Sequence, residues 1–165
     1  MCIRDSDNWL MVRQYRHALD RAVACLAARA HSKHEIEQKL LRVGYRPCTV
    51  EMVLYKLERE HLLNDADFAR QWVEARSGRK LGRSRIAQEL RRKGIDADEA
   101  EEALSAIGED AQLADAIALA EKAAARAKSD ENPRKTYQRI AAMLARRGFR
   151  WDIAKEALAQ VLQAD

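Results

Sequence analysis

Glycine and proline are scarce in this chain, at 6 and 2 of 165 residues, and aromatics make up only 5%. Runs of β-branched residues are missing as well, which excludes a sheet-rich architecture. Alanine, leucine, arginine, glutamate and lysine dominate, and these are strong helix formers. Cysteines number three, Cys2, Cys25 and Cys48, widely spaced and odd in number. That pattern excludes a disulfide framework and points to a reducing, cytoplasmic setting. No uncharged apolar stretch reaches the length of a membrane span. The opening residues Met-Cys-Ile-Arg-Asp-Ser lack the apolar run of a signal peptide. Motifs for catalysis or metal binding are lacking too. Gly78 and Gly82 are not followed by the Gly-Lys-Ser/Thr ending of a phosphate loop, and His31 and His34 are accompanied by no Cys-x-x-Cys or His-Glu-x-x-His. The expectation is a protein with no catalytic residues, no metal and no cofactor.

What is present is charge, unevenly placed: 34% of residues are charged and the net charge is +4. Residues 76–93 carry eight Lys/Arg against one acid, Glu89, whereas residues 94–115 carry eight acids and no Lys/Arg. Residues 133–150 carry six Lys/Arg and no acid. Basic segments of this kind attract polyanions or acidic protein surfaces.

The chain also repeats itself. Residues 35–57, 85–107 and 139–161 align without gaps on Gly44, Gly94 and Gly148. Eight residues before each glycine stands Ile36, Ile86 or Ile140, and four before it Leu40, Leu90 or Leu144. Those positions share one helical face. Each glycine is read as ending its helix in a left-handed C′ conformation that a Cβ would disfavour. The next residue, Tyr45, Ile95 or Phe149, can then pack back on the helix just ended. A second apolar stripe follows at Val50, Leu54 and Leu57, at Ala100, Leu104 and Ile107, and at Ala154, Leu158 and Val161. Ser32 with Glu35, and Asp96 with Glu99, read as capping boxes, and Pro47 and Pro133 suit a first helical turn.

One further helix precedes each pair, with faces at Leu19, Val23 and Leu26, at Phe68, Trp72 and Val73, and at Leu113, Ile117 and Ala120. The spacing predicts nine helices, over 16–30, 33–43, 48–60, 66–77, 83–93, 97–107, 110–128, 133–147 and 151–162. The fold expected is all-α, three tandem three-helix repeats over residues 16–64, 65–108 and 109–165, arranged as an elongated curved array. Residues 1–15 are read as an extension outside the repeats, a scar or a disordered segment. Trp72, Trp151, Phe149 and Tyr45 are expected in the core, although stacking on bases is the functional alternative. Residues 77–82 read as a flexible connector.

Residues 62–95, LLNDADFARQWVEARSGRKLGRSRIAQELRRKGI, resemble the signature of the RecX family: a Leu-x-Asp-x-x-Phe-Ala helix, a basic Gly-containing loop, then Ile-x-x-Glu-Leu-x-x-Lys-Gly-Ile. Residues 26–40, LAARAHSKHEIEQKL, resemble the family's first repeat. The likeness spans about residues 16–162. The chain departs from the pattern at Arg83, where proline is common, at Ala30, where glutamate is often found, and at His61-Leu62, which replaces Gly-Tyr.

The resemblance implies a non-enzymatic, monomeric regulator that binds the RecA recombinase. It would lie in the groove of the RecA–DNA filament and hinder filament growth, ATPase activity and strand exchange. The side chains expected to face RecA or DNA phosphates are Arg76, Arg79, Lys80, Arg83, Arg85, Arg91, Arg92 and Lys93, extended by Arg134, Lys135, Arg139, Arg146, Arg147 and Arg150. Binding to single- or double-stranded DNA would be weak and salt-dependent. The competing readings are a general basic helical DNA-binding module and a pure protein scaffold that uses its charge only for solubility; for the basic segments themselves the alternative is a solvated helix face whose charge is compensated by the acids of residues 94–115.

Overall fold

The computed structural model describes residues 5–126 and 132–162, with side chains from residue 10 onward. The described residues form nine helices and no strand: α1 (Asp5–Ala28), α2 (Lys33–Val43), α3 (Pro47–Arg59), α4 (Asp65–Ser77), α5 (Arg83–Arg92), α6 (Ala97–Ser105), α7 (Glu109–Ala124), α8 (Pro133–Arg147) and α9 (Trp151–Leu162). They fall into two compact units, one of Met1–Phe68 with Lys93–Asp96 and one of Ala69–Arg92 with Ala97–Asp165.

The boundaries follow local chemistry. Ser32 is the N-cap of α2: its Oγ accepts the Glu35 N–H at 3.2 Å and the Glu35 carboxylate accepts the Ser32 N–H at 3.3 Å. That reciprocal box satisfies two donors at the helix start, and losing such a cap costs about 1 kcal/mol. Pro47 and Pro133 sit at the first positions of α3 and α8, where the missing N–H is no loss. All three repeat glycines have positive φ, at 98°, 74° and 86° for Gly44, Gly94 and Gly148. At Gly44 and Gly148 the chain closes as a Schellman turn. Gly44 and Tyr45 donate to the carbonyls of Leu41 and Leu40 at 2.9 and 3.4 Å, and Gly148 and Phe149 donate to those of Ala145 and Leu144 at 2.9 and 3.2 Å.

In the first unit, α1, α2 and α3 pack on one another. Their shared core is Ala18, Ala22, Ile36, Leu40, Val50, Val53, Leu54, Leu57 and Leu63, with Tyr15, Leu19, Leu26 and Tyr45 against it. In the second unit α7, α8 and α9 pack mutually around Ala116, Ala120, Ile140, Leu144, Phe149, Ala154, Ala157 and Leu158, and α5 packs on α6. Ile86, Leu90, Ala103 and Leu104 are buried there as well. Each fully buried leucine or isoleucine contributes about 1.5–3 kcal/mol.

Four expectations need correction. The first helix begins at Asp5, not at residue 16; no glycine or proline interrupts residues 5–28, so once Tyr15 and Ala18 are anchored the helix propagates backward at little cost. Val23 is exposed, and the buried stripe of α1 runs through Ala18 and Ala22 instead; small residues here let α1 approach its neighbours closely. Trp151 is 62% exposed rather than buried, because the core is already closed by Phe149 and Ala154 on either side of it. Residues 77–82 do not form a free connector: Gly82 donates to the Arg147 carbonyl at 2.9 Å, and the Arg147 guanidinium donates to the carbonyls of Arg79 and Lys80 at 3.2 and 3.4 Å. The sequence-based end of the seventh helix at residue 128 lies outside the described residues, and α7 closes at Ala124.

Candidate functional site

The same joint is built twice. At the start of α2, Ser32 Oγ donates to the Lys93 carbonyl at 2.6 Å, and a Cβ on Gly94 would stand 2.5 Å from that of His34. At the start of α5, Gly82 and Ser84 donate to the carbonyls of Arg147 and Gly148 at 2.9 and 3.1 Å, and a Cβ on Gly148 would stand 2.3 Å from that of Arg85. Each joint has a second clasp. The first N–H of α2, on Lys33, donates to Asp65 at 2.8 Å, and the first N–H of α5, on Arg83, donates to the buried Gln112 at 2.9 Å. A polar side chain near the start of α4 or α7 thus caps the middle helix of the preceding repeat.

These joints fix which cations are consumed inside the fold. In the first unit, Lys93 and Arg29 both engage Glu35, with Arg29 at 3.1 Å. Burial pushes the Glu35 carboxyl up, but the hydrogen bonds from Arg29 and Lys93 outweigh it and hold the pKa at about 2. Beside it, buried His31 donates through Nδ1 to the Arg29 carbonyl at 2.9 Å and accepts from the Lys39 ammonium on Nε2 at 2.8 Å. Burial lowers the His31 pKa; the charges of Arg29 and Lys39 reinforce this while the bond to the Arg29 carbonyl opposes it. His31 is therefore a neutral structural imidazole, and the described residues hold no cluster of metal-binding side chains.

In the second unit, Glu89 gathers a network. It accepts from Arg76 at 2.6 Å, from the Trp72 indole at 3.2 Å and from Arg85 at 3.3 Å, and the Arg76 guanidinium lies 4.2 Å from the Trp72 ring centre. Burial raises the Glu89 pKa, yet these donors win and lower it. Acids of residues 94–115 take up further cations: Asp115 pairs with Lys80 at 3.1 Å, Glu101 with Arg83, and Glu109 with Arg150 at 3.9 Å. Arg150 also meets Asp152 at 2.8 Å. Arg139 reaches the Ala123 carbonyl at 3.5 Å.

What remains is a smaller basic set than the sequence alone offered. Arg79, Arg91, Arg92, Arg134, Lys135 and Arg146 are all exposed or nearly so, and none forms an ion pair among the described residues. Arg91 and Arg146, together with Arg85, Ser84 and Gln88, line a shallow groove between α5 and α8. Side chains that sequence reasoning missed are Gln112, Asp65 and Ser32 as inter-repeat clasps; Ser32 was visible only as a local cap, and nothing in the pattern marks the other two.

The surface belongs to a recognisable lineage. Family models for the first, second and third three-helix domains of RecX match residues 18–57, 64–104 and 110–158. The regulatory protein RecX of Mycobacteroides abscessus is 38% identical over 141 residues, 81% of this chain and 68% of that protein. The regulatory protein RecX of Prosthecochloris aestuarii is 36% identical over 89% of this chain and 95% of that protein. The crystal structure of RecX from Lactobacillus salivarius superposes with a TM-score of 0.83 at 26% identity, over 93% of this chain and 99% of that one. Three matched domains in the order the internal repeat demands, with relatives matched over most of their length, make this chain a member of the RecX family of regulatory proteins.

Proposed function

We propose that this chain regulates a RecA recombinase, mainly as an inhibitor, by lying in the groove of the RecA–DNA filament and hindering filament growth, ATP turnover and strand exchange. The observation that supports this reading is the set of arginines on α5 and α8, Arg91, Arg92, Arg134 and Arg146, that are exposed and form no ion pair among the described residues. Unpaired guanidiniums on a rigid helical frame present charge to phosphates or to an acidic protein groove without first breaking an internal pair. The role is that of a binding regulator, acting in the cytoplasm where RecA works.

The test is the single-strand-dependent ATPase of RecA titrated with this protein. Inhibition well below one copy per RecA points to capping or propagated disassembly, and inhibition only near equimolar amounts points to groove coating. No inhibition, with no retention on RecA filaments, removes RecA as the partner and leaves a general basic DNA-binding module.

A further inference from the structure

Each inter-repeat joint has two halves: a glycine turn that offers carbonyls, and the start of a middle helix that donates to them. Each unit leaves one half over. In the first unit the spare half is the Gly44 turn. A Cβ on Gly94 or Gly148 would meet His34 or Arg85 at 2.5 or 2.3 Å, but around Gly44 nothing stands within 4 Å. By the repeat, Val43 takes the place of Lys93 and Arg147, whose carbonyls accept from Ser32 and Gly82. Among the described residues no backbone donor from another element reaches the Val43 or Gly44 carbonyl, and the Val43 side chain is 47% exposed.

In the second unit the spare half is the start of α8, and the chain fills it itself. Ile140 corresponds to Ile36 and Ile86, so Thr136 corresponds to Ser32 and Gly82. Relative to its isoleucine, α8 begins a full turn earlier than α2 and α5, and Thr136 is buried and donates to the Asn132 carbonyl at 3.1 Å. With the starts of α2 and α5 already engaged, a second copy of this chain has no free middle-helix start to offer Gly44. The surroundings of Gly44 also disfavour nucleic acid. A groove between α2 and α3 begins at Leu41, whose carbonyl accepts the Gly44 N–H at 2.9 Å, and it carries the exposed Met52 and Tyr55 beside Glu37, Glu51 and Glu58. Glu37 and Glu58 meet His34 and Lys33 at 3.6 and 2.7 Å, whereas Glu51 forms no ion pair among the described residues. Carbonyl oxygens and carboxylates repel phosphates and suit the positive end of a helix. Arg42 and Arg46 flank the turn, but Arg146 and Arg150 flank Gly148 at the same positions, and that joint closes.

We propose that the Gly44 turn is a docking point for the N-terminus of a helix on a partner protein, in the geometry of the two internal joints. First-turn N–H groups of that helix bond the Val43 and Gly44 carbonyls, an apolar residue beside them covers Val43, and a cationic side chain reaches Glu51. This rests on the recombinase reading, and the partner is accordingly a RecA subunit of the filament. Glycine is essential here for more than its φ of 98°: the two closed joints leave no room for a Cβ between turn and helix start.

The experiment measures binding of the full chain and the variants Gly44→Asn and Val43→Ser to RecA filaments on a single strand, over a salt series, with helical circular dichroism as the check on folding. Asparagine tolerates the left-handed turn, so Gly44→Asn should keep the wild-type helix content while its side chain blocks the joint. It should weaken filament binding by at least about tenfold. The salt slope should stay that of the wild type, because no charge has changed. Val43→Ser lies outside the core and leaves the turn glycine in place; it should weaken binding by about 3- to 10-fold through lost apolar contact, and it decides alone if Gly44→Asn fails to fold. Filament binding by both folded variants within about twofold of wild type overturns the proposal and leaves the recombinase reading intact. A wild-type chain that does not bind RecA filaments at all refutes the recombinase reading, and this partner with it.

Discussion

Replacing Gly82 with alanine puts the joint between the loop before α5 and the end of α8 under direct load. A Cβ there would lie 2.2 Å from both C and O of Gly148 and 2.3 Å from the Phe149 nitrogen. These are backbone atoms of a hydrogen-bonded turn, so they cannot swing aside as a side-chain tip would. The loop must withdraw, forfeiting the bonds from Gly82 to the Arg147 carbonyl and from Ser84 to the Gly148 carbonyl. Arg147 then loses its hold on the carbonyls of Arg79 and Lys80. At about 0.5–1.5 kcal/mol per bond, with buried groups left unpaired, Gly82→Ala should cost about 2–4 kcal/mol. Two glycines serve as controls. At Gly44, with φ of 98° and open space around it, alanine should cost only the left-handed penalty of about 1–2 kcal/mol. At Gly108, with φ of −66° and open space, alanine should change stability by less than about 1 kcal/mol. Urea unfolding followed by helical circular dichroism ranks the three, and hydrogen exchange at the Ser84 amide reports the joint itself. A Gly82→Ala variant no less stable than Gly44→Ala would refute the docked-joint account.

Acid should loosen the first unit before the rest of its core is touched. The Glu35 carboxyl sits at about 2 in the folded chain against an ordinary 4.5, so its contribution is complete above about pH 4.5 and vanishes as pH falls toward 2. That lowering corresponds to about 3 kcal/mol, which solvent screening at a partly exposed carboxylate cuts to about 1–2 kcal/mol. Glu35→Gln should therefore flatten the pH dependence of unfolding in that window; an unaltered dependence would sink the assignment. His31 acts in the same direction at higher pH: its lowered pKa means stability is lost as pH falls below about 6.5, and His31→Gln should remove that slope. Leu144→Ala, at a fully buried position between α8 and its neighbours, should cost about 2–5 kcal/mol in urea unfolding. Reversing Arg91 and Arg92 to glutamate, both exposed and without an ion pair among the described residues, should leave unfolding within about 0.5 kcal/mol of wild type yet weaken binding to RecA filaments; undiminished binding would remove this surface from the interface.

Much of the fold was legible because the repeat writes the same physics three times. An Ile-x-x-x-Leu face, a glycine four residues on and an apolar residue after it fix a helix, its stop and its return in one short pattern, and Gly44, Gly94 and Gly148 all adopt the left-handed geometry that the pattern demands. The start of α1 was not legible, because a chain of helix formers carries no stop signal and its extent is set by packing at Tyr15 and Ala18. Trp151 misled for the opposite reason: its repeat position is apolar in character, but the first residue of α9 points where Phe149 has already sealed the core. The basic surface was legible as a total and not in its parts. Charge runs do not say which arginine meets an acid from a distant helix. Only the folded chain assigns Arg76 to Glu89, Lys80 to Asp115 and Lys93 to Glu35, leaving Arg91, Arg92 and Arg146 exposed and without such partners among the described residues.

The central claim is that a nucleoprotein filament, and not DNA in general, is what this chain recognises. It is tested most directly by measuring binding to one labelled single strand, bare and coated with RecA in its ATP-bound filament, at physiological salt. The account predicts markedly tighter binding to the coated strand, with inhibition of RecA ATPase following the same isotherm. Equal affinity for bare and coated strands, with ATPase unchanged, would contradict it.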